Sequence, residues 1–497
     1  MSQPLDTLII GAGTAGLAAL REVRKRTDRY LIVNEGPWGT TCARVGCMPS
    51  KALIEAANAF HRRHAFEAFG LRGAEGLTAD IAAVLQRVRA LRDQFVAGAL
   101  QATDTLGAAR MAGRATVLGP NAVDIDGTPY ATRSIIIATG SRPRVPDEWL
   151  AFGDRILTTD TLFEQPTLGP RVAVIGMGVI GVEIAQALAR LGIEVAAFTT
   201  GNTLAGLKDP ALNAELAAVL KQEMLLHTGA PAELREVPGG IEVSSGPNRV
   251  VVDQVIAAMG RVPNIEHLGL ETLGVPLNPR GMPAVNPQTQ QIGDLPVFLA
   301  GDANTHAPLL HEAADEGHIA GINAMACALT PAAAPAAAPA AAPAAIPTPP
   351  TPTRFQRRTP LAIVFCDPQV AMVGKRLADL DSAHTVTGTV RFTNQGRARA
   401  AQRNYGRLHV YADRATGRLQ GAEMCAPAAE HLAHLLALAV QQKLTVHQLL
   451  GMPFYHPVLE EGLRTALRDA ARQLADAANA PESDLASCPA IGVPALE

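Results

Sequence analysis

Two stretches of the chain share one pattern. Four or five apolar residues run together, a glycine turn follows, apolar residues then return every three or four positions, and a second apolar run closes the stretch. The first is TLIIGAGTAGLAALREVRKRTDRYLIVNE, residues 7–35, and the second is RVAVIGMGVIGVEIAQALARLGIEVAAFTT, residues 171–200. A continuous apolar run bounded by glycine predicts a buried parallel strand, and the 3.6-residue spacing after it predicts a crossover helix. The pair therefore predicts an α/β protein with two Rossmann-like units, each a parallel sheet covered by helices. Between them, residues 51–109 read as largely helical, and short strands continue to SIIIATGSRP, residues 134–143. VFLAGDA, residues 297–303, reads as a buried strand ending at an acid, so a late segment completes the first domain around an inserted second one. LAIVFCDPQVAMVG, residues 361–374, restarts alternating strands, and helices follow from about 429 to 476.

The expected organisation is a first dinucleotide-binding domain over 1–147, completed by 282–327, with a second over 148–281. A run of Ala, Pro and Thr over 328–354 has no core-forming side chains, and its prolines favour extended geometry, so it reads as a semi-stiff linker. A C-terminal α+β domain is expected over 355–475 and a frayed tail over 476–497.

At 497 residues the chain is too long for one core, and its net charge of −3 with 4% aromatic residues gives no reason to expect nucleic acid or a membrane as partner. No apolar run approaches the roughly 18–20 residues that span a bilayer. The N-terminus enters a strand almost at once, without a signal core or Arg-rich transit segment, so a cytoplasmic protein is expected. Six cysteines do not make a disulfide scaffold. Cys327, Cys366, Cys425 and Cys488 are scattered; Cys42 and Cys47, in GTTCARVGCMPSK (39–51), stand apart by spacing and context.

Gly11, Gly13 and Gly16 form GxGxxG directly after an apolar strand. The first glycine permits the tight turn, the second lets backbone approach a pyrophosphate at the helix N-terminus, and the third allows close helix–strand packing. Glu35 ends the next strand, where a carboxylate can bond a ribose hydroxyl. Gly176, Gly178 and Gly181 repeat the pattern, but Thr199 and Thr200 stand where an acid would favour NAD or an arginine NADP. Two such sites suggest a resident flavin and an exchanging nicotinamide.

Five helical steps carry Cα about 7.5 Å along the axis, beyond the roughly 7 Å a disulfide tolerates. A bond between Cys42 and Cys47 therefore cannot sit in a regular helix, and Gly46 offers the irregularity. A thiolate near Lys51 or a helix N-terminus would be reactive. Redox exchange, metal ligation and an inert structural pair are the three readings of C-x4-C.

GTTCARVGCMPSK resembles the active-site segment of the flavin-dependent pyridine nucleotide–disulfide oxidoreductases, and the likeness extends over about residues 5–327 and 361–470. The Ala/Pro segment has no counterpart in the usual family core. The resemblance implies FAD at the first glycine loop, with Glu35 on the ribose, the ATG turn (Ala138, Thr139, Gly140) alongside, Asp302 on the ribityl chain and Leu310 near the isoalloxazine. It makes Cys47 the flavin-side thiol in a redox-active disulfide and Cys42 the one that exchanges with substrate. Lys51 and its partner Glu183 would lie near the flavin's reactive nitrogen, and Gly260 and Arg261 near NAD or NADP. Without the family, Glu183 reads as a first-turn helix acid.

FYHPVLEEGLRTAL, residues 454–467, resembles the family's HPTLSE signature, so His456 becomes the acid–base residue and Glu461 its carboxylate partner. Pro457 is expected in the first turn of the following helix. The histidine acts on the other subunit's disulfide in this family, which implies a homodimer through the C-terminal domain. PSK after Cys47 and His311 in LLHEAADEG lean toward the dihydrolipoamide dehydrogenase branch and a lipoyl or small dithiol substrate. Thr40 in place of a glycine and Glu460 in place of a serine are departures. The other readings are a glutathione- or mercuric-type reductase, a flavin transhydrogenase, and a docking component of a multienzyme complex.

Overall fold

The computed structural model describes residues 3–329 and 351–477. Most of the Ala/Pro segment and the tail beyond Ala477 lie outside the described residues. The chain forms two compact units, one of Met1–Pro49, Arg89–Arg144 and Arg261–Gln356, the other of Ser50–Val88, Val145–Gly260 and Arg357–Glu497.

The first unit is built on a five-stranded parallel sheet. Its order is Val297–Leu299, Ile135–Ile137, Thr7–Ile10, Tyr30–Asn34, Arg110–Ala112. The late strand Val297–Leu299 thus completes the sheet begun at Thr7, as the apolar pattern predicts. Leu8, Ile9, Ile135 and Ile136 are fully buried, because helices cover one face and further strands the other. The helices Thr14–Val23 and Leu310–Leu329 pack against each other unusually closely. A Cβ on Gly317 would lie 2.1 Å from the Ala15 carbonyl oxygen, and one on Gly321 2.7 Å from that of Ala19. Small residues here are a steric requirement, which explains the Ala- and Gly-rich composition of both helices. Within the second helix, Asn323 grips the backbone of Thr353, donating to its carbonyl at 2.9 Å and accepting from its N–H at 2.8 Å.

The second unit holds a second parallel sheet, in the order Leu225–Thr228, Glu194–Thr199, Arg171–Ile175, Gln254–Ala257, Ile156–Leu157. It also holds an antiparallel five-stranded sheet in the order Leu361–Val364, Gln369–Gly374, Leu419–Ala426, Arg407–Asp413, Thr385–Arg391. The helices Ala429–Gln441 and Glu460–Ala477 cover the antiparallel sheet through Leu432, Leu436, Leu463 and Leu467. Buried Arg190 ties three segments of this unit, reaching Glu223 at 2.8 Å, Asp367 at 3.0 Å and Asn58 at 2.6 Å. Its two carboxylate partners outweigh the cost of burying the guanidinium and raise its pKa further.

Candidate functional site

The first glycine loop divides its glycines by physical cause. Gly11 has φ +102, and a Cβ there would lie 2.3 Å from the Ala138 carbonyl oxygen. On Gly16 a Cβ would lie 1.9 Å from the Gly11 carbonyl oxygen. Protein packing alone therefore demands both. Gly13 is different: its φ of −77 suits any residue, and the nearest atom to a Cβ is 4.0 Å away. Open space at a helix N-terminus fits a phosphate group that the protein itself does not fill.

Around this loop, Asn34 at the end of its strand accepts from the Ala12 N–H at 2.9 Å, and exposed Glu35 follows it. Thr139 Oγ1 is buried without a partner among the described residues, a group that a bound ligand would satisfy. Ser141 donates to Asp302 at 2.7 Å, while Arg261 donates to the Ser141 hydroxyl at 2.8 Å and carbonyl at 2.5 Å. Arg261, expected near the nicotinamide, is thus placed with Ser141 and Asp302. Fully buried Glu316 holds the turn carrying Asp302, accepting from Gly301 N–H and Asn304 Nδ2, both at 2.7 Å. Leu310 opens the helix Leu310–Leu329 and is exposed, with His311 next to it.

The cysteines flank a break in helical structure. Cys42 lies in the short helix Thr41–Arg44, Val45 leaves helical geometry at φ −136, and Cys47 opens the helix Cys47–His61. Cys42 is half-buried and Cys47 exposed. A Cβ on Gly46 would come within 3.1 Å of the Thr41 carbonyl oxygen and 3.2 Å of the Cys42 Cα, so a side chain there would push on the cysteine's backbone. Pro49, third in the new helix, sits where no intrahelical N–H bond is lost.

Thr40, the departure just upstream, adopts φ +57 and ψ +144, a conformation β-branched residues rarely occupy. Its hydroxyl compensates in part by capping the Ala43 N–H at 3.2 Å. Replacing it with glycine should relieve about 1–3 kcal/mol of backbone strain and lose only a few tenths from the cap. Thr40→Gly is therefore expected to stabilise the protein by about 1 kcal/mol, read as a raised denaturant midpoint. A lowered midpoint would show that the cap outweighs the strain.

In the second unit the same division recurs. Cβ atoms on Gly176 and Gly181 would lie 2.3 Å from the Ala258 and 1.7 Å from the Gly176 carbonyl oxygens, whereas one on Gly178 meets nothing within 4 Å. Gly260 (φ +97) stands three residues past the end of the strand Gln254–Ala257.

Lys51 Nζ bonds Glu183 at 2.8 and 3.1 Å. Glu183 is only 4% exposed and lies in the second turn of the helix Val179–Arg190, which corrects the first-turn reading. Phe365 completes the arrangement, its N–H donating to Glu183 at 2.9 Å and its ring lying 4.6 Å from the Lys51 ammonium. A buried carboxylate with three donated bonds is well satisfied. Truncation in Glu183→Ala should cost about 2 kcal/mol, and Glu183→Gln less because the amide still accepts from Phe365. Equal denaturation midpoints for both variants would contradict this.

His456 Nδ1 lies 3.1 Å from Glu461, which also accepts from the Val458 N–H at 3.3 Å. Partial burial alone would raise the Glu461 pKa, but the His456 and Val458 hydrogen bonds and the nearby charges of His456 and Arg464 bring it below its ordinary value. The ionised carboxylate orients the exposed imidazole and leaves Nε2 for proton exchange. The helix begins at Glu460, so Pro457 lies outside it rather than in its first turn. That places His456 on an irregular segment whose orientation depends on Glu461.

Ser141, Asn34, Glu316 and Phe365 are the residues sequence reasoning missed. Ser141 directly follows the ATG turn and was the most findable; Phe365 is brought to Glu183 only by tertiary folding. Among the described residues, no group of three or more His, Cys, Asp or Glu could hold a metal ion, and no helix is long and apolar enough to cross a membrane.

Comparison with known proteins matches residues 5–317 to the pyridine nucleotide-disulphide oxidoreductases and residues 361–467 to that family's dimerisation domain. A mercuric reductase of Acidithiobacillus ferrooxidans is 29% identical over 487 residues, covering 95% of this chain and 84% of the relative. A dihydrolipoyl dehydrogenase of Thermus scotoductus is 29% identical over 480 residues, covering 93% and 96%. The Cu(II) complex of the HOCl-induced flavoprotein disulfide reductase RclA from Escherichia coli superposes with a TM-score of 0.77 at 18% identity, covering 94% of this chain and 99% of that one. LpdA from Mycobacterium tuberculosis gives 0.76 at 23% identity, covering 93% and 99%.

Proposed function

The chain belongs to the pyridine nucleotide-disulphide oxidoreductase family, and on that premise we propose that it exchanges electron pairs with a dithiol, most suitably a lipoyl group, through Cys42 and Cys47. The family uses FAD and NAD(P), and the dimerisation domain supports a homodimer. The open space at Gly13 and Gly178 and the orphaned Thr139 hydroxyl fit two dinucleotides. Gly11, Gly13, Gly16, Glu35, Thr139 and Asp302 would hold FAD, and Gly176, Gly178 and Gly181 the pyridine nucleotide. Bound there, FAD supplies two-electron chemistry that connects nicotinamide and sulfur.

The helix break between the cysteines is the observation that carries the reading. It removes the regular spacing that would keep the two Cα atoms too far apart for a reversible bond. In the dithiol-oxidising direction, a substrate thiol gives its proton to His456 Nε2 of the partner subunit and attacks Cys42 Sγ. The Cys42–Cys47 bond breaks and Cys47 leaves as a thiolate. The second substrate thiol then attacks the first sulfur, closing the substrate disulfide and passing its proton to Cys42, which leaves as a thiol. Glu461 holds the imidazolium in orientation throughout. Lys51, anchored by Glu183 and Phe365, supplies fixed positive charge.

The PSK run and His311 favour a lipoyl substrate. Similarity to mercuric reductases at the same 29% identity keeps that activity as a second reading. Against it, Cys488 is a lone cysteine where that branch has a vicinal pair. A cytoplasmic location belongs to the same proposal. The test is a steady-state screen of flavin-loaded protein, crossing NADH and NADPH with lipoamide, oxidised glutathione and Hg(II). Lipoamide should give the highest kcat/KM, and turnover with Hg(II) or glutathione but not lipoamide would overturn the assignment.

A further inference from the structure

Between Asp381 and Asp413 the chain carries five arginines and no acid, although its net charge is −3. Two of the five are engaged inside the fold, Arg391 and Arg407 both reaching Glu215, at 2.6 and 3.3 Å. Arg403 lines a cavity with Glu55, Asp367 and Glu430, so acids offset its charge there. Arg397 and Arg399 remain. Both are exposed on the short helix Gly396–Ala400, and among the described residues neither forms an ion pair.

The anchoring of that helix sets what these arginines border. Ala398, between them, is fully buried. Gln395 accepts from the Ala398 N–H and donates to the Val458 carbonyl, both at 2.7 Å. Val458 in turn donates its N–H to Glu461, the carboxylate that orients His456. A Cβ on Gly462 would lie 2.8 Å from the buried ring of Phe392, so the arginine segment and the His456 segment are in direct contact. Arg62 brings a further guanidinium from a third segment, donating to the Ala401 carbonyl at 3.1 Å.

Acids on these elements are few. Glu67 is the one acid between residues 56 and 74, and Glu460 opens the helix that follows His456. A cavity of about 490 Å³ beside the arginine helix is lined by Gly396, Arg399, Ala400, Gln402 and Asn404, with no acid among them.

His456 carries the proton in the proposed reaction, so whatever borders its segment borders the path of the arriving dithiol. Guanidinium groups there attract carboxylates and repel cations. Residues two apart on a helix face different directions, so one carboxylate on a small dithiol cannot bridge Arg397 and Arg399. A surface bearing several carboxylates can meet both. We propose that Arg397 and Arg399 recognise carboxylates on the protein domain that carries the dithiol, so that the redox partner of this chain is an acidic carrier. This rests on the lipoyl reading and adds to it the charge of the partner and the residues that select it.

The test uses full-length, flavin-loaded protein and two synthetic peptides, each with one lipoyl-lysine, flanked by glutamates in one and by glutamines in the other. At low salt kcat/KM should be at least about tenfold higher for the glutamate peptide, and about 0.5 M NaCl should bring the two within about twofold. Replacing both arginines, Arg397→Ser with Arg399→Ser, should abolish the preference while kcat/KM for neutral lipoamide stays within about twofold of wild type. Light scattering should show an unchanged subunit number. Equal turnover of the two peptides by the wild type, or a preference that survives the double substitution, overturns the proposal. So does a double variant that falls to monomers, because the arginines would then be a subunit contact. Lipoamide separates the inference from its premise: if the wild type turns over neither lipoamide nor either peptide, the lipoyl reading itself fails.

Discussion

Cys47→Ser should lower dithiol-dependent turnover by at least about a thousandfold, while the protein still folds, loads FAD and binds pyridine nucleotide. Serine neither forms a reversible bond with Cys42 nor ionises near neutral pH, so both the electron-accepting and the leaving-group roles vanish. Structural damage should be slight. Cys47 is exposed and opens its helix, a position where serine is well tolerated. Steady-state assays with lipoamide, flavin-to-protein stoichiometry and far-UV circular dichroism together separate lost chemistry from lost fold. Wild-type shows a second signature: on reduction, the long-wavelength absorption that a thiolate beside bound flavin produces should appear, and the variant should lack it. Full turnover in Cys47→Ser would refute the cysteine mechanism.

Gly181→Ala should destabilise the second unit by about 3 kcal/mol or more, whereas Gly178→Ala, three residues away, should leave stability within about 0.5 kcal/mol of wild type. The contrast follows from what each methyl would meet. At Gly181 it lies 1.7 Å from the Gly176 carbonyl oxygen, so the helix must move away from the strand it follows. At Gly178 it meets open space, and the backbone there (φ −72) accepts alanine. Gly178→Ala should instead weaken nucleotide binding, because its methyl enters the space left for the pyrophosphate. Thermal unfolding and calorimetric titration with NAD+ distinguish the two. Equal melting temperatures, or unchanged nucleotide affinity in Gly178→Ala, would contradict this division of labour.

Much of this architecture is legible in the order of residues because its signals are local. The buried strands at Thr7 and Arg171, their glycine turns and the late strand at Val297 all lie where apolar runs predict them. The break between Cys42 and Cys47 is what helical rise and disulfide reach require if the two thiols are to pair. Contacts between distant segments are harder to read. Phe365 meets Glu183 across 182 positions, and Ser141 meets Asp302 across 161, with no short-range pattern to pair them. Position alone makes Glu183 a first-turn acid although it lies in the second turn, and only the family resemblance pairs it with Lys51, because the two stand 132 positions apart. Pro457 suits a first turn by type, yet the helix starts three residues later. Thr40 is a visible departure in the sequence, but its positive φ is a property of the folded backbone alone.

Asn323 holds Thr353 on the same body from which the helix Leu310–Leu329 departs. The insertion between them therefore starts and finishes at one address. For such an excursion chain length enters the free energy only logarithmically, each doubling costing about 0.6 kcal/mol. The length of such a connection can therefore change at almost no thermodynamic penalty to the body that holds both of its ends.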